Sequence, residues 1–149
     1  MNKLDDKTRA RLEGRYHSII KNVDKCVFCD LREKYLIKRK NGWVLTVNIY
    51  PYINGQLLVL PERHIENYKD LAAKDLLISH RLIKEGIELL QAKLKIKNFW
   101  IVLRQGKVAG KTVSHLHWNI MPYIEGLNTW HYQKITIEPL ELAEKLRGK

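Results

Sequence analysis

The dipeptide Asn41-Gly42 separates two stretches of strand composition, Lys34 to Arg39 and Trp43 to Asn48. A two-residue hairpin needs positive φ at both central positions, and Asn-Gly reaches that conformation at little cost. An antiparallel pair of strands is therefore expected here. Gln56 to Leu60 (QLLVL) reads as a third, largely buried strand closed by Pro61, after a loop from Tyr50-Pro51 to Asn54-Gly55. Leu71, Leu76, Leu82, Ile83, Ile87, Leu90 and Leu94 recur at helical spacing. They predict one long helix, Leu71 to Leu94, capped by Asp70. Asn98 to Arg104 and Thr112 to Met121 are the fourth and fifth strands, joined by a loop from Gln105 to Lys111 and ended by Pro122. Leu4 to Ile20 and Glu138 to Arg147 have helical composition, and Gln133 to Ile137 reads as a short edge strand. This order, mostly joined by short links, predicts an α+β fold with a meandering antiparallel sheet.

A chain of 149 residues with no repeat or linker is expected to form a single domain, 1–149. No segment approaches the ~20 apolar residues of a membrane helix. Met1 to Gly14 is charged and lacks the apolar stretch of a secretory signal, so a cytoplasmic location is expected. Two cysteines exclude a disulfide scaffold. The net charge of +11 points to an anionic partner, such as nucleic acid, a phosphorylated small molecule or an acidic membrane, or to a basic surface that only keeps the protein soluble. The basic residues are spread along the chain, so no basic tail is indicated.

Three features carry chemistry. In the fifth strand, alternation places His115, His117 and Asn119 on one face and Leu116, Trp118 and Ile120 on the other, the core face. The polar face is either solvated or a site, because buried nitrogens without partners are costly. Cys26 and Cys29 have C-x-x-C spacing. In this context that indicates metal or redox chemistry, although the redox reading lacks a thioredoxin-like βαβ frame. A tetrahedral site needs two further ligands, to be drawn from His17, His64, His80, His115, His117 and His131. Spacing does not choose among them, though His80 sits inside the long helix. Gly106 to Thr112 (GKVAGKT) imitates a P-loop but has three residues between its glycines where four are needed, and a strand follows instead of a helix. Its loop could still hold a phosphate beside Lys111 and Thr112, or be an ordinary connection.

Taken together, the segment from about Cys26 to Tyr123 resembles the histidine triad (HIT) family of nucleotide hydrolases and transferases. The likeness rests on Cys26 and Cys29, on Val47 to Tyr52 leading to Gly55 to Pro61 and His64, on Gly106 and Ala109-Gly110, and on Thr112 to His117. It implies a HIT-like five-stranded antiparallel sheet, commonly joined to a second copy in a homodimer. It implies that His117 attacks the α-phosphorus of a nucleotide or dinucleoside polyphosphate and forms a covalent nucleotidyl-histidine. A backbone carbonyl within the motif would hold the second ring nitrogen. Cys26, Cys29, His64 and His115 would bind a structural zinc ion. Asn48 would meet the ribose, and Val27, Phe28 and Ile49 the base. Three positions depart from the family pattern. Asn119 stands in place of the third histidine and can donate a hydrogen bond but no proton. Arg104 replaces the usual Asn or Gln, and Lys111 the usual Gln, adding charge beside the phosphates. The leading expectation is a nucleotidyl hydrolase or transferase. The alternatives are an enzyme acting on adenylated nucleic-acid ends, whose usual extra module has no room after Tyr123, and a catalytically weak nucleotide-binding protein.

Overall fold

Asn41 and Gly42 take φ of 47° and 80°, the positive pair that a two-residue hairpin requires. They join β1 (Leu36–Lys40) to β2 (Trp43–Val47) in antiparallel register, with Lys40 opposite Trp43. The computed structural model describes residues 26–106, 109, 113–126 and 132–148. The expected N-terminal helix, Leu4 to Ile20, lies outside these residues, as do Lys111, Thr112, His17 and His131.

Three further strands, β3 (Leu57–Pro61), β4 (Phe99–Leu103) and β5 (Trp118–Pro122), complete a five-stranded antiparallel sheet in the order β1-β2-β3-β5-β4. It is not a simple meander. The long helix α1 (Ala73–Leu94) carries the chain from β3 past the place that β5 fills, so β4 takes the edge. A second helix, α2 (Pro139–Arg147), closes the described chain.

Alternation along β2 and β3 sorts the core. Trp43, Leu45, Val47, Leu57 and Val59 join Ile120 against Leu82, Leu90, Leu142 and Leu146 of the helices. Val44, Leu58 and Leu60 turn to the opposite face, with Leu36 and Phe28. Both central strands are thus buried on both sides. Gly86 lets α1 approach closely, since a Cβ there would lie 2.9 Å from Ile120 Cδ1.

Three sequence expectations need correction. The long helix starts at Ala73, because Asp70 belongs to a short 3-10 turn and Asp75 does the capping. Its Oδ2 accepts the Ala72 N–H at 2.9 Å. The fifth strand starts at Trp118, short of the expected Thr112. The Leu116 N–H donates instead to Ile65 O, and the His115 carbonyl accepts from the His117 ring, so these two backbone groups are turned away from the β3 and β4 ladders. Gln133 to Ile137 forms no strand. Its N–H groups at Thr136 and Ile137 donate to the Asn54 side chain, and the Gln133 N–H donates to the Tyr52 carbonyl.

Candidate active site and metal centre

His115, His117 and Asn119 are 0%, 8% and 1% exposed, so the polar face of the fifth segment is not solvated. Leu116, Trp118 and Ile120 pack in the helix-side core, as alternation requires. His117 Nδ1 lies 2.9 Å from the backbone oxygen of His115. A carbonyl can only accept, so Nδ1 carries the hydrogen in the neutral ring, and Nε2 is left with a lone pair. The carbonyl lies within the motif itself. The Phe28 ring stands edge-on to His117, 4.8 Å away at 76°.

Two residues back, His115 is held in the opposite sense. Its Nε2 donates to Pro61 O at 2.7 Å, which turns Nδ1 toward the sulfurs of Cys26 and Cys29 at 3.5 and 3.4 Å. His64 Nδ1 lies 3.3 Å from Cys29 Sγ, and its Nε2 lies 3.5 Å from Glu66 Oε1. The four ligand atoms all fall within 4.8 Å of one another. Zinc bonds of about 2.3 Å to sulfur and about 2.0–2.1 Å to nitrogen, at tetrahedral angles, set sulfur and nitrogen about 3.5 Å apart. The observed separations fit that ion, and a carbonyl or carboxylate behind each imidazole is the usual support of a ligand histidine. Desolvation, then the hydrogen bond and charge of Cys26, push the Cys29 thiol above its ordinary 9.0. Because the Cys29 residue is exposed, the repulsion between two adjacent thiolates is the telling part. A cation between them removes it.

The loop bearing His64 is anchored from below. Arg63 Nη2 donates to Asp75 Oδ2 at 2.7 Å, and Trp43 Nε1 to Asp75 Oδ1 at 3.3 Å. Burial pushes the Asp75 carboxyl up. The hydrogen bonds from Arg63, Ala72 and Trp43 more than offset this and hold it below its ordinary 3.8. Sequence reading missed this carboxylate. A buried acid in the first turn of an apolar helix face was its only trace.

The remaining expected residues fall as follows. Asn48 follows β2, and its Oδ1 accepts the Tyr50 N–H at 2.8 Å. Val27 is half-buried in the Cys26–Cys29 turn, and Ile49 is exposed. Arg104 follows the residue that pairs with Trp118, so the β4–β5 register carries it toward His117. Gln56 was read only as part of a strand. It is 0% exposed and bonded to Asn119, and a polar residue opening the run QLLVL was the signal available.

The family model of the HIT domain matches residues 32–125. The chain belongs to the HIT family. An uncharacterized HIT-like protein of Methanocaldococcus jannaschii is 30% identical over 105 residues, 68% of this chain and 81% of that protein. The bis(5'-adenosyl)-triphosphatase of Dictyostelium discoideum is 33% identical over 79 residues, 51% of each. A zinc-bound histidine triad protein of Mycobacterium smegmatis shares the fold, with a TM-score of 0.69 and 22% identity over 83% of this chain and 91% of that one. The HIT match contains His64, His115, His117 and Asn119 but begins after Cys26 and Cys29.

Proposed function

We propose that this HIT protein is a nucleotidyl hydrolase or transferase whose nucleophile is His117 Nε2. The observation that carries the reading is the His117 Nδ1–H donating to the His115 carbonyl, which puts the lone pair of the neutral ring on Nε2. Attack forms an Nε2–Pα bond and breaks the bond from Pα to the leaving phosphate oxygen, which departs with the electron pair. Water or another acceptor then breaks the N–P bond. Splitting one displacement into two steps is the benefit of a neutral imidazole nucleophile. Asn119 contributes a hydrogen-bond donor without a proton to give, so a leaving group that needs no protonation, such as a polyphosphate, fits best. Asn48 meets the ribose, Val27, Phe28 and Ile49 the base, and Arg104 with Lys111 and Thr112 the phosphates. The Dictyostelium relative, named for a diadenosine triphosphate, supports a dinucleoside polyphosphate as substrate.

Zinc is the ion we assign to Cys26, Cys29, His64 and His115. When bound it supplies a closed, structural tetrahedral site with no open position for substrate. Two free thiols as ligands suit a reducing, cytoplasmic setting. Among the described residues no helix is long and apolar enough to cross a membrane. The β4 edge, with Trp100 and Ile101 exposed at 41% and 45%, is the surface on which a homodimer would join its sheets.

The test is intact-protein mass spectrometry with a panel of dinucleoside polyphosphates and nucleoside diphosphate sugars. The expected result is a mass gain of one nucleoside monophosphate that is absent in His117→Ala. No adduct and no product with any compound would sink the enzymatic reading. The net charge of +11 favours one second substrate class, adenylated nucleic-acid ends. Steeply salt-dependent binding of single-stranded oligonucleotide would select it.

A further inference from the structure

We infer that Gln56 is a positioning residue that sets which end of the Asn119 amide faces the site. The inference rests on the proposed role of His117, two residues before Asn119 on the same face of the chain. The orientation follows from a chain of hydrogen bonds that has only one consistent reading. The Tyr52 N–H lies 2.8 Å from one end of the Gln56 amide. A backbone N–H can only donate, so that end is the oxygen, and the other end is NH₂, which can only donate. The NH₂ end lies 3.1 Å from the Asn119 side chain, so the atom it meets must be Oδ1. The remaining end of Asn119 is then Nδ2, a donor. It lies 3.4 Å from Val102 O, at the long limit of a hydrogen bond. Gln56 and Asn119 are 0% and 1% exposed, so no water competes for the orientation. The backbone of Gln56 is fixed as well, its N–H bonded to Ile53 O at 3.2 Å and its carbonyl accepting the Asn48 N–H at 3.4 Å.

The consequence is specific. An amide normally has two nearly equal orientations, and either would fill the same space. Here the backbone of the loop before β3 selects one of them. Asn119 thereby presents hydrogens, one held weakly by Val102 O and one available to a phosphoryl oxygen. Reversed, it would present an oxygen to the anionic substrate. Gln56 touches no substrate and acts only through Asn119.

The Gln56→Glu variant tests this, because it changes donor count and keeps shape. The carboxylate introduced by the substitution still accepts the Tyr52 N–H but has no hydrogen to donate, so Asn119 turns its NH₂ inward and its oxygen toward the phosphate. The rate of adduct formation is expected to fall about 10²-fold, the usual cost of losing one such donor. Burial at this position raises the carboxyl above the ordinary glutamate value of about 4.3, so as the pH is lowered from about 8 to about 5 it takes up a proton, donates again, and the rate recovers relative to the unaltered protein. A residue with a merely structural role would give a loss that does not recover. Gln56→Met, which has neither donor nor acceptor, should lose rate at every pH. A thermal melt separates any failure to fold. Wild-type rates in Gln56→Glu at the higher pH would overturn the inference, and so would a loss that is the same at both ends of the range. Should the unaltered protein form no adduct, the nucleotidyl reading fails, and the relay is judged by NMR of the side-chain amides. The Asn119 NH₂ protons should exchange slowly and should shift in Gln56→Glu at the higher pH. Fast exchange or unmoved resonances would overturn the relay independently of turnover.

Discussion

The two halves of the metal cluster are held by different means. His115 is fully buried, its ring fixed by the Pro61 carbonyl and its backbone locked into the turn that also orients His117. Cys26, half-buried, and Cys29, exposed, lie on a turn in which the Cys29 N–H donates to Cys26 O at 3.1 Å. The histidine half exists because the sheet folds. The cysteine half is close to its place, and among the described residues Phe28 and Leu31 are what packs it against the sheet. The ion is therefore expected to act as a clasp that brings the segment bearing Val27 and Phe28 onto a preformed surface.

The comparison is tested most strongly by removing one ligand from each half. His115→Ala loses the ion and also leaves Pro61 O without its buried donor, a further cost of about 1–3 kcal/mol. Cys29→Ser loses the ion's contribution alone, about 4 kcal/mol where free zinc is about 1,000 times its dissociation constant. Urea melts with zinc present should rank the two in that order, and a chelator should bring wild type level with Cys29→Ser but not with His115→Ala. Equal losses would mean that the histidine half is no more preformed than the cysteine half.

A smaller effect is expected at Asp75, which ties Arg63, beside His64, to the start of α1. Asp75→Asn keeps the shape and removes a charge-assisted bond, at a cost of about 1.5–3 kcal/mol. The pH dependence has a definite sign. The folded-state pKa lies below the unfolded 3.8, so the contribution is complete above 3.8 and is lost as the pH falls through the lower folded value. The gap between wild type and variant should close in acid, and zinc should leave the variant faster under a chelator. A gap independent of pH would show that the carboxylate's charge is not what matters.

How much of this could be read beforehand follows from the range of each interaction. The hairpin at Asn41-Gly42 was legible because two adjacent residues decide it. The long helix was legible because its apolar period runs over many turns. The inward alternation of Leu116, Trp118 and Ile120 was legible as well, although the ladder begins only at Trp118. Just before the ladder the His117 ring bonds the His115 carbonyl, and a period-two pattern carries no sign of such a contact. The candidate metal cluster is not legible from spacing at all. It follows from the family resemblance, and the approach of Cys26, Cys29, His64 and His115 depends on β3 and the chain before β5 lying side by side. The insertion of β5 between β3 and β4 was likewise invisible, because local sequence specifies pairing partners only where the connection is tight. Gln56 and Asp75 escaped because a lone polar residue in an apolar run looks like a break in the pattern until its partners are known.

The smallest expected effect bears most directly on whether the clasp reaches the nucleophile. Phe28 sits between the two cysteines and meets His117 edge-on. Phe28→Leu keeps an apolar side chain of similar reach and removes the ring contact, with an expected loss of about 0.5–1.5 kcal/mol. That loss should be present with zinc and nearly absent after chelation, because the turn has then left the sheet in both proteins. In parallel, chelation should shift the His117 ring resonances of the wild type, and shift them less in Phe28→Leu. If the loss is the same with and without the ion, the turn stays docked by its own packing. The difference between the two halves would then be one of exposure alone, and metal occupancy would have no route to His117 through this ring.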